Sequence, residues 1–196
     1  MKEGKKLKKS KLKKNKPFII AVSGFTGAGK SFVANVISKK IDCVVLRSDV
    51  IRKEISGINL NQHVYEDFEK GIYSKEMTEK VYNEMFKRTK RYLRESKNVI
   101  LDASFLDKNK RDKLREVSKE LNVKLLILWV ETPPDLIKER LSKRKGDVSD
   151  GRWEIYLKQK EKYEKPDEKD IVFIESVNKK ELEKILDDII LRFLST

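Results

Sequence analysis

Residues 24–31 carry the clearest chemical signal in the sequence, because they read GFTGAGKS and fit the P-loop pattern G-x-x-x-x-G-K-[ST]. Such a loop surrounds phosphate groups with main-chain N–H groups, a lysine and a hydroxyl. We assign phosphate contacts to seven residues, namely Gly24, Thr26, Gly27, Ala28, Gly29, Lys30 and Ser31. In this assignment Lys30 reaches the β- and γ-phosphates, and the Ser31 hydroxyl binds Mg²⁺. The pattern predicts a site for a nucleotide and its magnesium ion.

The residues on both sides of this loop support the prediction. Residues 18–23 (FIIAVS) are almost wholly apolar, which is typical of a strand buried in a parallel sheet. Residues 32–37 (FVANVI) place apolar side chains at helical spacing, so we expect a helix directly after the loop. The N-terminus of that helix would direct the positive end of its dipole toward the phosphates.

An aspartate ends another predicted strand. Residues 98–102 (NVILD) are mostly apolar and end in Asp102. Because the carboxyl ends of parallel strands meet at one edge of a sheet, we expect Asp102 to lie beside the P-loop. A carboxylate there would orient Mg²⁺ or its waters, or it would contact the molecule that accepts a phosphoryl group from the nucleotide. The alternative is an aspartate that only caps a helix. We interpret Asp102 as a magnesium ligand.

A second aspartate, Asp49, ends the strand predicted at residues 44–49, and Arg52 follows it by three residues. Ser48 or Asp49 would cap a helix over residues 50–56, with Arg52 on the same face as Asp49. A carboxylate near a γ-phosphate can accept the proton of an acceptor hydroxyl, and an arginine can bind a phosphate or carboxylate of the acceptor. We therefore predict that Asp49 and Arg52 are catalytic.

Arginines also follow a later strand. Arg140 and Arg144 lie four residues apart on a helix that Pro133 and Pro134 open, before a loop predicted at residues 145–152. Cations on such a movable lid would neutralise charge on a transferred phosphoryl group. We predict a catalytic role for Arg140 and a nucleotide contact for Arg144. A solvated basic face is the alternative, and Arg111 is a weaker candidate for a similar role.

The charge of +14 is unevenly distributed along the 196 residues. Residues 1–16 hold nine lysines and one glutamate, so this segment carries +8 and the remaining chain carries +6. The segment is too poor in apolar residues to order itself, so we predict a flexible tail at 1–16 and one domain at 17–196. The tail would either bind the phosphate backbone of a nucleic acid or only raise solubility.

Other features limit the classes of function. Cys43 is the only cysteine, which excludes an internal disulfide, and we expect it to be a buried apolar residue. His63 is the only histidine and does not form a metal site by itself. No apolar run approaches the ~18 residues of a membrane span, and the tail does not resemble a secretory signal, so we predict a cytoplasmic protein without a membrane partner. The N-K-x-D match at residues 109–112 follows the wrong strand for a guanine-binding motif and is interpreted as coincidence.

Strands alternate with helices along the whole domain. Further helices are predicted at about 74–96, from 107 or 109, from 133 to about 144, at 153–163 and at 179–194, and further strands at 123–130 and 171–174. This alternation indicates right-handed βαβ units and a parallel sheet with helices on both faces. The fold class is therefore α/β.

Several segments together resemble the small P-loop kinases, in particular the AAA_33-like "predicted kinase" group, which is related to polynucleotide kinases, zeta toxins and gluconate kinases. The matching segments are the P-loop, Asp49 with Arg52, the sequence DASF at residues 102–105, and ERL at 139–141 with Arg144. The resemblance covers about residues 18–166. It implies a three-layer P-loop NTPase fold with strand order 2-3-1-4-5 and a small lid.

The same resemblance implies roles for individual residues. Asp49 would be the base that activates the acceptor, Arg52 would assist at the acceptor or the transferred phosphate, and Arg140 would be the lid arginine. The hypothesis is an ATP-dependent kinase that requires Mg²⁺ and acts on a polynucleotide 5′-hydroxyl or a small metabolite. The alternative is a nucleotide-dependent binding or switch ATPase that has no phosphoryl acceptor. Residues 57–73 are predicted to form a loop and carry no pattern that identifies the acceptor.

Overall fold

A computed structural model describes residues 16–64, 66–143, 150–163, 165–176 and 178–195. Nearly all of the predicted tail lies outside these residues, as do Arg144 and most of the predicted loop at 145–152. Among the described helices, none combines the length and the apolar composition that a membrane crossing requires.

Five parallel strands form one sheet in the order β2-β3-β1-β4-β5, which confirms the predicted order. The strands are β1 Phe18–Ser23, β2 Cys43–Arg47, β3 Asn98–Asp102, β4 Lys124–Glu131 and β5 Ile171–Glu175. All six residues of β1 are buried, because this central strand has a strand on each side and helices on both faces. The carboxyl end of β1 therefore opens at the middle of the sheet edge.

Seven α-helices lie in the described residues: α1 Lys30–Ser38, α2 Ser48–Ile55, α3 Lys75–Arg94, α4 Lys108–Leu121, α5 Pro134–Lys143, α6 Trp153–Lys162 and α7 Lys179–Ser195. A short 3₁₀ helix at Gly71–Tyr73 interrupts the loop predicted at residues 57–73. The predicted starts of two helices agree with the structure, since Ser74 caps α3 by accepting a hydrogen bond from the Met77 N–H. Of the two starts predicted for α4, Asp107 is the cap and accepts a hydrogen bond from the Asn109 N–H.

The apolar core has two parts, one on each face of the sheet. Ile19 and Ala21 of β1 belong to a cluster with side chains of α3 and α4. Ile20 and Val22 face the other way and belong to a cluster with side chains of α1 and α7. This alternation follows from the two-residue period of a strand, and it produces the three layers of a P-loop fold.

The boundary between β2 and α2 differs from the prediction. Asp49 and Ser48 are not the end of a strand, since β2 ends at Arg47 and Ser48 already begins α2. The reason is the register, because Arg47 pairs with Asp102, the last residue of β3, which leaves no strand partner for Ser48. Neither Ser48 nor Asp49 caps the helix, and Asp49 lies in its first turn.

Cys43 begins the edge strand β2 and is half-buried, with its side chain packed against the core of the α1 face. Burial, and to a smaller extent Asp42, raise the pKa of this thiol from 9.0 to about 11. A thiol that holds its proton so strongly is a weak nucleophile at neutral pH, which agrees with the interpretation of Cys43 as a packing residue.

Candidate active site

A cavity of about 880 Å³ opens at the carboxyl edge of the sheet and brings most of the predicted site residues together. The P-loop lines it with Thr26, Gly27, Gly29, Lys30 and Ser31. The other predicted residues that line it are Asp49, Arg52, Asp102 and Arg140. Gly24 and Ala28 are not part of the lining, and Arg144 lies outside the described residues.

Glycines are required where the P-loop passes close to other main-chain and side-chain groups. Gly24 has φ +133°, and a Cβ there would lie 2.6 Å from the carbonyl oxygen of Val130. Gly29 has φ +100° and precedes α1, and a Cβ there would lie 2.8 Å from Ser176 Oγ. Both backbone conformations are unfavourable for residues with a side chain, so the pattern of glycines shapes the loop directly.

The peptide between Phe25 and Thr26 is bound on both sides. Lys30 Nζ donates a hydrogen bond to the Phe25 carbonyl oxygen at 2.8 Å. The Thr26 N–H donates to Gln159 Oε1 of α6 at 2.9 Å. The lysine of the motif is thus held inside the loop, and Gln159 attaches α6 to the same loop. Sequence reasoning missed Gln159, because it belongs to no motif and lies 133 residues away.

Ser31 and Asp102 lie side by side, as their predicted metal-binding role requires. Asp102 is 5% exposed, and burial raises its pKa, although Lys30 and the Ser31 hydroxyl favour the charged form. Arg47 joins the two residues, with Nε 3.2 Å from Asp102 Oδ2 and Nη2 3.2 Å from Ser31 Oγ. Arg47 is a second residue that the sequence did not single out.

These oxygen donors fit Mg²⁺ rather than a transition metal. Magnesium prefers hard oxygen ligands and is usually held by one or two carboxylates together with waters and substrate phosphates. In the part of the chain that the structure describes, no three histidine, cysteine or acidic residues are grouped as a metal site. Ser31 and Asp102 would therefore hold the ion together with the nucleotide. The Arg47 guanidinium, which contacts both side chains, shows that a positive charge is favourable beside them.

Arg52 lies in the opposite wall of the cavity and is only 6% exposed. Its Nη1 donates to the Ile72 carbonyl oxygen at 2.7 Å and lies 3.4 Å from Thr78 Oγ1. The Tyr73 ring packs against the guanidinium at 4.8 Å. Burial lowers the pKa of Arg52 and Asp49 opposes that shift, so the group stays charged. Its Nε is buried without a hydrogen-bond partner.

A buried polar cluster connects this wall to the residues before α6. Asp150 Oδ2 accepts a hydrogen bond from the Tyr73 hydroxyl at 2.8 Å, and Oδ1 lies 2.9 Å from His63 Nδ1. Lys53 is 1% exposed, lies 3.7 Å from Asp150 Oδ1, and donates to the Leu60 and Gln62 carbonyl oxygens. His63 therefore belongs to a structural cluster that stabilises residues 60–63.

Arg140 contacts the P-loop from the side of α5. Its Nη1 lies 3.2 Å from the Ala28 carbonyl oxygen and 3.3 Å from Ser176 Oγ, and its Nη2 donates to the Ser176 carbonyl oxygen. Burial lowers its pKa. The alternative of a solvated basic face is wrong for this residue, because its guanidinium is fixed beside the loop that would hold the phosphates.

Arg111 does not reach the cavity, so its prediction as a similar phosphoryl-contacting residue is wrong. It is 4% exposed and forms two bonds with Glu168, through Nε at 2.8 Å and Nη2 at 3.1 Å. Its Nη1 donates to the Phe105 and Leu106 carbonyl oxygens at 2.8 and 2.9 Å. Every donor that faces the protein is used to hold the β3–α4 connection.

The half of the cavity away from the P-loop is aromatic and carries both signs of charge. Its rings come from Phe68, Tyr73, Tyr82 and Tyr163. The acidic residues of the whole lining are Asp49, Glu66, Glu69, Glu79, Asp102, Asp107 and Asp150. The basic ones are Lys30, Arg52, Lys75, Lys110, Arg140, Lys143 and Lys162. Among the residues that the structure describes, the lining is therefore balanced in charge, in contrast to the strongly basic sequence.

The AAA_33 family, described as an AAA domain, matches residues 19–166, which include every described residue of the predicted site. The chain belongs to this family. The predicted relationship to small P-loop kinases is thus confirmed, and so is the P-loop NTPase fold.

Solved structures of kinases share the fold of this AAA_33 chain. An APS kinase from Mycobacterium tuberculosis, solved in complex with AMPPNP and APS, superimposes with a TM-score of 0.65 at 16% identity, over 93% of this chain and 99% of that one. A gluconokinase from Sinorhizobium meliloti gives a TM-score of 0.62 at 21% identity with the same two coverages. At these identities the likeness is one of fold.

Curated relatives include uncharacterized proteins of Mycobacterium bovis and Mycobacterium tuberculosis, each 24% identical over 134 residues. The match covers 68% of this chain. The chain spans about a quarter of the length of these relatives, 27% in each case.

Proposed function

We propose that this protein is an ATP-dependent kinase that transfers the γ-phosphoryl group to a hydroxyl of an acceptor. The observation that carries the proposal is the placement of the P-loop with Lys30 and of Asp49 with Arg52 in the walls of one cavity. A hydrolase or a switch protein has to position a water molecule, whereas a kinase needs a base and a binding group for an acceptor. The fold that it shares with a kinase solved with AMPPNP supports a nucleoside triphosphate as the donor.

The donor half would act through positions and charges. The main-chain N–H groups of the P-loop and Lys30 would bind the phosphates, and Lys30 would exchange the Phe25 carbonyl oxygen for a phosphate oxygen. Ser31 and Asp102 would hold Mg²⁺, which neutralises phosphate charge when it is bound. Arg140 lies beside Gly29 and would add positive charge from the side of α5, with Arg144 proposed as a further nucleotide contact.

The acceptor half would supply the proton transfer. Asp49, in the first turn of α2, would accept the proton of the acceptor hydroxyl as the new bond to the γ-phosphorus forms and the bond from that phosphorus to the oxygen of the leaving ADP breaks. Arg52, which lines the cavity, would bind an anionic group of the acceptor or the transferred phosphoryl group through its guanidinium.

Within this proposal the charge balance of the lining favours a small acceptor. A site for a polynucleotide needs an excess of positive charge along a groove, and the described part of this lining has as many acidic as basic residues. Aromatic rings close to Arg52 suit a compact acceptor that carries a hydroxyl and an anionic group. A polynucleotide 5′-hydroxyl held with the help of residues 1–16 is the competing acceptor.

The experiment is phosphoryl transfer from γ-labelled ATP with Mg²⁺ to a panel of sugars, nucleosides, amino alcohols and 5′-hydroxyl oligonucleotides. We expect transfer to one class, a loss of 10²–10⁴-fold in Asp49→Asn with ADP affinity retained, and loss of nucleotide binding in Lys30→Ala. Asp42→Asn, a change of the same type beside the edge strand, should have no effect. ATP hydrolysis that is unchanged by every acceptor and by Asp49→Asn would instead favour a switch ATPase.

A further inference from the structure

The side chain of Gln159 has a fixed orientation at the P-loop. A main-chain N–H can only donate, so the side-chain atom 2.9 Å from the Thr26 nitrogen must be the carbonyl oxygen Oε1. The carboxamide nitrogen Nε2 is therefore on the other side of the group. No described protein atom accepts a hydrogen bond from it, and Gln159 lines the cavity. Two N–H donors are thus directed away from the loop and are available to a ligand.

The position of Gln159 on α6 places these donors between the two halves of the site. Ile155, Gln159 and Lys162 line the cavity from one face of α6, because they recur at intervals of four and three residues. Tyr163, the residue that follows the helix, also lines the cavity. Tyr163 and Lys162 lie in the acceptor half, with the Lys162 ammonium 5.7 Å from the centre of the Phe68 ring. Gln159 itself contacts the donor loop at Thr26. Only the γ-phosphoryl group has to pass between these two halves.

Lys30 and Gln159 bind the same peptide of the P-loop from different directions. Lys30 is bonded to the carbonyl of the same Phe25–Thr26 peptide whose N–H binds Gln159, so the two side chains lie on opposite sides of that peptide. A C=O and an N–H of one peptide point in opposite directions. Lys30 would therefore approach the phosphates from one side and Gln159 from another, without competing for the same oxygen.

We infer that Gln159 binds the γ-phosphate of the nucleotide through Nε2 and thereby lets the site distinguish a triphosphate from a diphosphate. The inference rests on the proposed function, since it requires a nucleotide in the P-loop. The Oε1–Thr26 bond positions the side chain, and the amide donors contact the phosphoryl group that is transferred. After transfer this contact is lost with the group, which favours the release of the diphosphate.

The test is calorimetric binding of AMPPNP·Mg²⁺ and of ADP·Mg²⁺ to the full chain. Gln159→Glu keeps an oxygen for the Thr26 N–H but replaces the donors with a negative charge. We expect it to weaken AMPPNP binding by about 10- to 100-fold, the worth of a hydrogen bond to a charged group, and ADP binding by less than about threefold. Gln159→Leu, which removes both functions, should also weaken AMPPNP more than ADP. Leu157→Glu adds the same charge on an exposed position of α6 and should change neither affinity.

The outcomes separate this inference from the proposed function. If Gln159→Glu binds AMPPNP as the wild type does, or loses AMPPNP and ADP by the same factor, Gln159 only supports the loop and the inference is wrong. Retained ADP binding shows at the same time that the variant is folded. If the wild type binds neither nucleotide, the proposed function is wrong, and the inference is wrong with it.

Discussion

The carboxylate of Asp150 accepts a hydrogen bond at 2.8 Å from the hydroxyl of Tyr73, a residue 77 positions earlier in the chain. The Tyr73 ring in turn packs against the guanidinium of Arg52. The same carboxylate contacts Lys53 and His63. The orientation of the Arg52 guanidinium, which we propose binds the acceptor or the transferred phosphoryl group, thus depends on a buried acid that precedes α6. Burial, Asp49 and the bond to Asp150 all raise the pKa of Tyr73, so its hydroxyl remains a donor.

Removal of the Asp150 charge should destabilise the fold strongly. Lys53 is 1% exposed, and Asp150→Asn would leave its ammonium without a carboxylate, so we expect a loss of about 3–5 kcal/mol in the free energy of unfolding. Urea denaturation measures this loss. Asp187→Asn, which breaks the exposed pair with Lys40, should cost less than about 1 kcal/mol. Equal losses in the two variants would contradict a buried ion pair at Asp150.

Gly24→Ala should destabilise the P-loop more than Gly57→Ala destabilises its own turn. Both residues have a positive φ, of +133° and +65°, which costs a non-glycine residue about 1–3 kcal/mol. Only at Gly24 does a new Cβ also lie 2.6 Å from a main-chain oxygen, whereas at Gly57 nothing lies within 4 Å. We expect Gly24→Ala to lower the melting temperature more than Gly57→Ala does, and to be the one variant of the two that weakens ADP binding. Similar melting temperatures for the two variants would show that the contact with Val130 is relieved easily.

The ion pair of Arg111 with Glu168 should make part of the stability dependent on pH. Burial tends to raise the pKa of Glu168, but the hydrogen bond and charge of Arg111 outweigh it, so this pKa lies below its usual 4.5. A carboxyl whose folded pKa is lowered stabilises the fold above its unfolded pKa, and that contribution is lost as the pH falls through the folded pKa. Glu168→Gln should therefore cost about 3 kcal/mol at pH 7 and progressively less below about pH 4.5.

Chemical denaturation of the wild type and of Glu168→Gln between pH 7 and pH 3 measures this difference in the free energy of unfolding. Glu183→Gln, at an exposed position of α7, should shift stability by less than about 0.5 kcal/mol throughout. A constant deficit of Glu168→Gln at all pH values would mean that only packing was lost.

The thiol of Cys43 should react slowly with iodoacetamide. With a pKa raised to about 11, its thiolate fraction at pH 8 is roughly two orders of magnitude below that of an ordinary cysteine, and the rate should rise about tenfold per pH unit up to pH 10. Mass spectrometry of the alkylated protein measures the rate, with the urea-unfolded chain as the control. A rate that levels off near pH 9 in the folded protein would contradict the raised pKa.

The sequence predicts those features that depend on local patterns. The apolar run of β1, the loop glycines, and the caps Ser74 and Asp107 can each be identified within a few residues, and the structure contains them. The boundary at Arg47 was missed because it depends on where the neighbouring strand ends. Local pattern also cannot separate Arg111, which is buried in an ion pair, from Arg140, which lies at the P-loop.

Contacts between distant segments account for the rest of the site. Gln159 meets Thr26 across 133 residues and Asp150 meets Tyr73 across 77, so no spacing in the sequence connects either pair. Lys53 has the same appearance in the sequence as other lysines of a chain in which 40% of the residues are charged. Only its contacts with Asp150 and with the Leu60 and Gln62 carbonyl oxygens distinguish it.

The strand order places the P-loop after a central strand of the sheet, and Asp49 and Arg52 after an edge strand. The P-loop follows β1, which has a strand on each side, whereas Asp49 and Arg52 follow β2, an edge strand with the single neighbour β3. Changes after the edge strand disturb one strand pairing and leave the central one intact. On the proposed function, the side that would bind the acceptor could therefore vary in sequence while the central side that would bind phosphate stays unchanged.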